Sequence, residues 1–407
     1  MRTPDRSGCA AWRGPARTIA AVTNSPRVPR VLHVSASFPR RDDDSVAPFL
    51  ADLVAAQVDA GWQARVVALH DRGLPRRHLV GGGDVRRVRY APERWEVLAY
   101  RGGGHGGLRS PAHAFLLPGV AAALRAAVVA ELRPTPPDAI HGHWLLPAGL
   151  ILATLPARSR PRTVLTLHGT DVELASGRLW PLARRIAGRI DVLLAISDAL
   201  ARRAEAVLGL ARGAVGVARL PLPAGLQPSP LPDADLAPRL LAAGRASREK
   251  GFDVLLAALG EPAAARWHAT LVTGGPEAAR LLHTAQGLDG RVVVRPPLPR
   301  RDLFALVREH HAVVVPSRSE GLGMFAVEAL ALGRPVVASR VGGLVEVVRD
   351  GVDGLLVPPD DPGALADALA RLPLRPPQAH AAARHSPAAA IAAHASAYGV
   401  AFTGVTP

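Results

Sequence analysis

The sequence predicts an α/β protein built from two Rossmann-like, doubly wound lobes that face each other across a cleft. Three observations predict it. Short β-branched runs alternate with helical patterns along most of the chain, and a proline-rich stretch from Leu220 to Pro238 divides that alternation into two series. Two strand ends then open into basic or glycine-bearing loops, at Leu240 to Gly251 and at Pro316 to Gly343. A chain of 407 residues with 48% hydrophobic content has enough apolar material for more than one core.

The elements follow in order. Arg30 to Ser35 reads as the first strand, Pro48 to Ala60 as an amphipathic helix closed by Gly61, and Trp62 to Leu69 as the next strand. Arg72 to Gly107 is rich in Gly and Arg and reads as loop. A helix is expected over Ala114 to Leu132, a strand over Asp138 to His141, and another over Arg162 to Leu167, which ends in H-G-T-D. The strand Ile190 to Ile196 ends in Ser197-Asp198, side chains suited to capping the helix that follows. After Pro238 come strands near Leu240 and over His268 to Thr273, Arg291 to Arg295, His311 to Pro316, Pro335 to Ser339 and Leu355 to Val357. An Ala-rich helical pattern over His385 to Phe402 finishes the chain. The expected division is a disordered extension over 1–29, a first lobe over 30–219, a linker over 220–238, a second lobe over 239–376, and a C-terminal helix and tail over 377–407.

Composition narrows the function classes. Forty-nine basic against 34 acidic residues give a formal charge of +15, but the arginines are scattered, only 4% of residues are aromatic, and no zinc-finger or RNA-recognition motif is present. Nucleic acid is therefore not an expected partner. The charge leaves room for an anionic substrate or for peripheral contact with an anionic membrane. Cys9 is the only cysteine, which excludes a disulfide framework and favours a reducing compartment. Residues 1–29 lack the apolar core of a secretory signal, and the longest apolar run, Trp144 to Ala157, is too short and too broken by Pro147 and Pro156 to span a bilayer. The expected location is the cytoplasm, extending to the inner face of the membrane.

The segment Pro316 to Gly343 carries the most chemistry. The run H-A-V-V-V-P ends in a loop with Gly321 and Gly323, and Met324 to Leu332 follows as a helix stopped by Gly333 and Pro335. Free N–H groups and the positive end of that helix would face the carboxyl edge of the sheet, where an anion sits well. Glu320 lies on the loop and Glu328 about one turn into the helix. Carboxylates suit hydroxyls rather than phosphates, so the expected ligand carries sugar and phosphate together. A second cradle stands in L-L-A-A-G-R-A-S-R-E-K-G, where Arg245 offers a planar fork and Lys250, the only lysine in the chain, a compact ammonium. His141 and His143 form an H-x-H pair with no third ligand at a telling spacing, and are expected to line the acceptor side or support His168.

Residues 30 to about 375 resemble the retaining glycosyltransferases of family four, the group 1 glycosyltransferases with the GT-B fold. The motifs H-G-T-D-V, A-I-S-D-A-L, G-R-A-S-R-E-K-G-F-D-V-L-L-A-A-L, S-E-G-L-G-M-F-A-V-E-A-L-A-L-G-R-P-V-V-A-S-R-V-G-G and D-G-V-D-G-L-L-V-P-P-D-D carry the likeness in order. The resemblance implies a nucleotide-sugar donor held by the second lobe, a hydroxyl acceptor on the first, and a C-terminal helix returning toward the first lobe. It implies that Arg245 and Lys250 bind the donor diphosphate, that Glu328 holds the ribose, and that Gly321, Gly323, Met324 and Phe325 form the loop against sugar and phosphate. Glu320 would sit beside the transferred sugar, and His168 across the cleft from it; these two are the expected catalytic residues. In this family, front-face attack with the leaving phosphate as base needs no enzymic nucleophile, and no divalent metal or other cofactor is expected.

Two departures stand out. The loop after the first strand, F-P-R-R-D-D-D-S, lacks the Gly-Gly pair of many relatives. Its acidic residues Asp42 to Asp44 either favour a hydroxyl-rich acceptor or cap the helix at Pro48; Asp44, Ser45 and His143 are the acceptor-side candidates. The segment R-P-P-L-P replaces a glycine usual near the nucleotide base. The expected function is retaining transfer of a hexosyl unit to a hydroxyl on a lipid-linked, polysaccharide or small-molecule acceptor. The alternatives are a nucleotide-sugar epimerase on the same fold and a non-catalytic glycan- or membrane-binding protein.

Overall fold

The computed structural model describes residues 27–100, 111–133, 135–158, 160–233, 237–378 and 380–401. The expected N-terminal extension lies outside the described residues up to position 26, as do the chain end from 402 onward and part of the Arg72–Gly107 region.

The first sheet holds β1 (Arg30–Ser35), β2 (Gln63–Leu69), β3 (Arg77–Val80), β4 (Gly83–Val88), β5 (Ala139–His143), β6 (Arg162–Leu167), β7 (Val192–Ala195) and β8 (Val215–Val217). Their order is β3-β4-β2-β1-β5-β6-β7-β8, parallel except for the β3–β4 hairpin. That hairpin corrects the loop expected over Arg72 to Gly107. Arg86 alternates with the inward Val85 and Arg87, and because the inward Arg87 is itself charged no apolar period of two shows in the sequence; the turn uses Gly81 and Gly82 at φ of 57° and 73°, a conformation that disfavours side chains. Helices at Thr170–Ala175 and Trp180–Ala187, between β6 and β7, also escaped the sequence reading.

The second sheet is wholly parallel, with order β11-β10-β9-β12-β13-β14, from β9 (Arg239–Arg245), β10 (His268–Gly274), β11 (Val292–Arg295), β12 (Ala312–Val315), β13 (Val336–Ser339) and β14 (Gly354–Val357). Alternate residues serve opposite faces. Leu241 and Val313 join the large core that continues through the first lobe, whereas Leu240, Ala242 and Val314 join a separate core under the helices Phe252–Gly260 and Pro362–Arg371. Such strands, buried on both faces, read as continuous apolar runs, which is why the sequence exposes them clearly.

Between the sheets the proline-rich segment is anchored to the second lobe by Arg334. This side chain is fully buried, and its guanidinium donates to the carbonyls of Ser229, Pro230, Val307 and Arg308. The helix Pro387–Tyr398 crosses back to the first lobe, where Ile391, Ala395 and Tyr398 pack on Val31, Trp62 and Val164. The two Rossmann-like lobes and the returning helix are the expected GT-B architecture. Among the described residues, no helix is long and apolar enough to cross a membrane.

Candidate functional site

Both sheets end toward the same cleft. Arg245 closes β9, and the turn Arg248–Lys250 leads into the helix Phe252–Gly260. From the next strand over, β12, the loop 316–323 runs into the helix Met324–Ala331, whose N-terminus at Gly323 has no side-chain cap. The first lobe contributes His168 and Gly169, just after β6. Here His168, Gly169, Arg245, Lys250, Glu320 and Gly321 line one cavity of about 350 Å³. A neighbouring cavity of about 250 Å³ shares His168, Lys250 and Glu320 and adds Gly323, Met324 and Phe325.

Charges in the site are arranged, not merely collected. Lys250 Nζ donates to Glu320 Oε2 at 2.7 Å, and Ser317 Oγ donates to the same oxygen at 3.1 Å. Arg203, Arg245, Lys250 and Arg318 line the first cavity, while the uncapped helix terminus at Gly323 borders the second, which shares Lys250. Against these four basic side chains stand three acidic ones, Glu173, Glu249 and Glu320, so the first cavity keeps a positive excess suited to an anion with a hydroxyl-bearing neighbour.

The lobes touch closely at this point. A Cβ on Gly321 would stand 2.6 Å from the carbonyl oxygen of His168, so only glycine permits the approach. Ser197 Oγ donates to the Gly321 carbonyl at 2.6 Å and also caps the helix Asp198–Leu208, as expected; the Asp198 side chain instead meets Arg219. Ser319 Oγ donates to Glu173 at 2.7 Å across the same gap.

Asp171 holds the His168 loop. Its buried carboxylate accepts from the backbone N–H groups of Leu145, His168, Gly169 and Val172. Burial raises its pKa, and those N–H groups oppose the rise. The fourth letter of H-G-T-D thus shapes the loop, a role readable from its place two residues beyond a glycine. Trp144 packs at a tilt against the His168 ring, 4.4 Å between centroids, and Phe49 lies 5.3 Å away, both supplied by elements with no local signature. Burial pushes the His168 pKa down to about 3, so its ring is neutral at physiological pH.

Other expected residues lie elsewhere. Glu328 is buried outside both cavities, and the Arg300 guanidinium donates to its Oε1 at 2.5 Å. Burial raises the Glu328 pKa against the pull of Arg300. Asp44 is buried and held by Arg40, with Val46 N–H donating to it, while Ser45 is exposed. The helix at Pro48 begins at Ala47 without a side-chain cap, so the Asp42–Asp44 capping expectation is corrected; Asp44 braces its own loop instead. Neither Asp44 nor Ser45 lines the two cavities. His143 is buried behind His168, at 3.3 Å between ring nitrogens. His33, far upstream on β1, stands beside the H-x-H pair, so the missing third partner does exist; the ligating atoms of His33, His141 and His143 fall within 4.8 Å of one another. Spacing had no way to show it, because parallel pairing of β1 with β5 creates the proximity.

Comparison with known proteins agrees with this layout. Residues 46–219 match the family described as Glycosyltransferase Family 4, and residues 237–373 match that described as Glycosyl transferases group 1. A D-inositol 3-phosphate glycosyltransferase of Acidothermus cellulolyticus is 31% identical over 287 residues, 62% of either chain. One from Saccharomonospora viridis is 43% identical over 147 residues, 33% of this chain and 34% of its own. The chain thus aligns with between about a third and three fifths of the length of these curated relatives. Among solved structures, sucrose-phosphate synthase from Thermosynechococcus elongatus superposes with a TM-score of 0.66 at 23% identity, covering 85% of this chain and 89% of that one. HepE from Anabaena, in complex with UDP-glucose, gives 0.62 at 18% identity over 91% of this chain and 100% of its own. With the two family matches falling one on each lobe of a GT-B fold, the chain belongs to the group 1, family 4 glycosyltransferases.

Proposed function

We propose that the protein is a retaining glycosyltransferase that moves a hexosyl unit from a nucleotide-diphosphate sugar to a hydroxyl acceptor. The observation that carries this reading is the convergence of Arg245, Lys250, Glu320, Gly321 and His168 on one interlobe cavity. Breaking the sugar–phosphate bond leaves positive character on the ring and gathers negative charge on the diphosphate. In this reading Arg245, Lys250 and the free N–H groups at the Met324 end of the helix meet that charge and stabilise it with little reorganisation; their places around the two adjoining cavities support it. Glu320, bonded to Lys250, receives sugar hydroxyls in the same reading, while neutral His168 faces the sugar from the first lobe.

Retention follows in this proposal from attack on the face the diphosphate leaves, with a phosphate oxygen taking the acceptor's proton. No enzymic nucleophile enters the scheme, and the cations present make a divalent metal unnecessary. The acceptor belongs to the small, hydroxyl-rich class that the curated relatives' name, D-inositol 3-phosphate glycosyltransferase, suggests. Peripheral contact with an anionic membrane is a separate proposal resting on the +15 charge.

Thermal stabilisation by a panel of nucleotide sugars tests the donor, because a ligand bound only by the native state raises stability with concentration. Incubating the stabilising donor with inositol phosphates and simple glycosides, followed by NMR of the anomeric proton, tests transfer and retention. Donor turnover without any acceptor would favour an epimerase instead.

A further inference from the structure

Behind His168 lies a continuous hydrogen-bonded array that none of the expected roles uses. Gln57, on the helix Pro48–Asp59, is fully buried and stands at its centre. On one side, Gln57 Oε1 lies 2.7 Å from His33 Nε2; His33 Nδ1 lies 3.0 Å from His143 Nε2, and His143 Nδ1 lies 3.3 Å from His168 Nε2. On the other side, Gln57 Nε2 donates to Tyr398 Oη at 3.2 Å. That oxygen is 2.7 Å from His141 Nδ1, and His141 Nε2 is 2.7 Å from Thr166 Oγ1.

A neutral imidazole has one N–H and one lone pair, so a chain of hydrogen bonds through three of them runs in one direction at a time. Burial keeps these rings neutral, with His33 lowered to about 4 and His141 and His143 well below their ordinary value. The amide oxygen of Gln57 can only accept. His33 therefore donates from Nε2 and accepts at Nδ1; His143 donates from Nε2 and accepts at Nδ1; His168 donates from Nε2. What remains is a lone pair on His168 Nδ1. The amide nitrogen can only donate, so the Tyr398 proton goes to His141 Nδ1 and the His141 Nε2–H to Thr166.

Turning the amide over would reverse every bond and leave an N–H on His168 Nδ1. That atom is buried and has no hydrogen-bond partner among the described residues. An orphaned buried N–H is the rarer and costlier of the two outcomes, which favours the first orientation.

We infer that Gln57 is a positioning residue: through His33 and His143 it fixes the tautomer of His168, a residue that lines the cleft, so that its Nε2 carries the proton and its buried Nδ1 a lone pair. This inference does not depend on which ligand the cleft takes. A metal is the competing use of the His33, His141 and His143 group, but every ring nitrogen of those three residues already has a partner, at 2.7 to 3.3 Å.

The test is two-bond 1H–15N correlation NMR of histidine-labelled protein at pH 7.5, without ligand. The expected spectrum has His33, His141, His143 and His168 all as Nε2–H tautomers. In Gln57→Glu the carboxylate still accepts from His33, so the His168 pattern and donor turnover stay, whereas Tyr398 now gives its proton to the carboxylate and His141 turns to Nδ1–H. In Gln57→Leu the amide that sets the direction is gone and the His168 tautomer becomes mixed. An Nδ1–H tautomer at His168 in the unaltered protein overturns the inference, as does an unchanged His168 pattern in Gln57→Leu or a stoichiometric metal that survives dialysis. The unaltered protein decides alone if the leucine variant fails to fold. Failure of every nucleotide sugar to bind would sink the functional reading while leaving these spectra as they are.

Discussion

Arg300 and Glu328 form a buried ion pair at 2.5 Å, and the same guanidinium reaches Asp52 on the first lobe, also at 2.5 Å. The carboxylate expected to hold a ribose is thus tied into a bridge between the lobes. Both carboxylates are pushed up by burial and pulled back by Arg300. Arg300→Met removes the cation that bridges them and leaves two desolvated carboxylates side by side; the expected loss is about 3–5 kcal/mol at pH 7. Their native pKa values then stand above the unfolded ones, so the native state binds the extra protons and the variant's deficit shrinks as pH falls toward 5. Urea unfolding of both proteins at pH 7 and pH 5 checks this, and a deficit independent of pH would remove the ion pair as its cause.

In the proposed reading Lys250 and Glu320 answer to different parts of one ligand. Lys250→Ala would then take a charge from the diphosphate, and affinity for the stabilising donor and for its nucleoside diphosphate should fall together by about 10- to 100-fold. Glu320→Gln frees Lys250 without removing it, so nucleoside-diphosphate affinity should hold or rise while turnover falls. Isothermal titration with that nucleoside diphosphate, set beside turnover, separates the two. Equal losses of its affinity in both variants would contradict the division of roles.

Gly321 is required by contact with the other lobe rather than by its own loop. In Gly321→Ala the new methyl group meets the His168 carbonyl, 2.6 Å from its place, and the lobes must part. The residues proposed to hold the donor stay on their own sheet, so binding of the nucleoside diphosphate should persist while transfer falls at least tenfold. Normal transfer in this variant would show that the close approach is not part of the working state.

Most of the fold was legible because its parallel strands are buried on both faces and so read as apolar runs, as at Ala312–Val315 and Val336–Ser339. The cavity-lining residues Glu320, Gly321, Gly323 and Met324 were legible because a single loop and helix carry them within a few positions. What the sequence hid has one physical character: partners brought together only by parallel pairing or by the approach of lobes. His33 joins His143 because β1 pairs with β5, and Asp52 joins Glu328 through an arginine on a third element. The β3–β4 hairpin was hidden differently, its arginines meeting Asp84 and Glu131 where a loop's charges would meet water.

The buried histidines make a strong prediction about acid. His33 and His394 are lowered to about 4, and His141 and His143 lie well below 6.5, in each case chiefly through burial. The unfolded chain takes up protons on these rings near pH 6.5, whereas the native chain does so only much lower, so stability is present above 6.5 and is lost as pH falls below it. Each ring adds a slope approaching about 1.4 kcal/mol per pH unit. The unfolding midpoint in urea should therefore drop steeply between pH 6.5 and 5, before most carboxylates titrate. His394 separates this cause from others: its Nδ1 bonds only the Ala390 carbonyl and its Nε2 has no partner among the described residues, so leucine replaces it at little cost in hydrogen bonds. His394→Leu should lessen the slope by about one proton and leave stability at pH 8 near its original value. A slope identical to that of the unaltered protein would mean that the acid sensitivity arises from other groups.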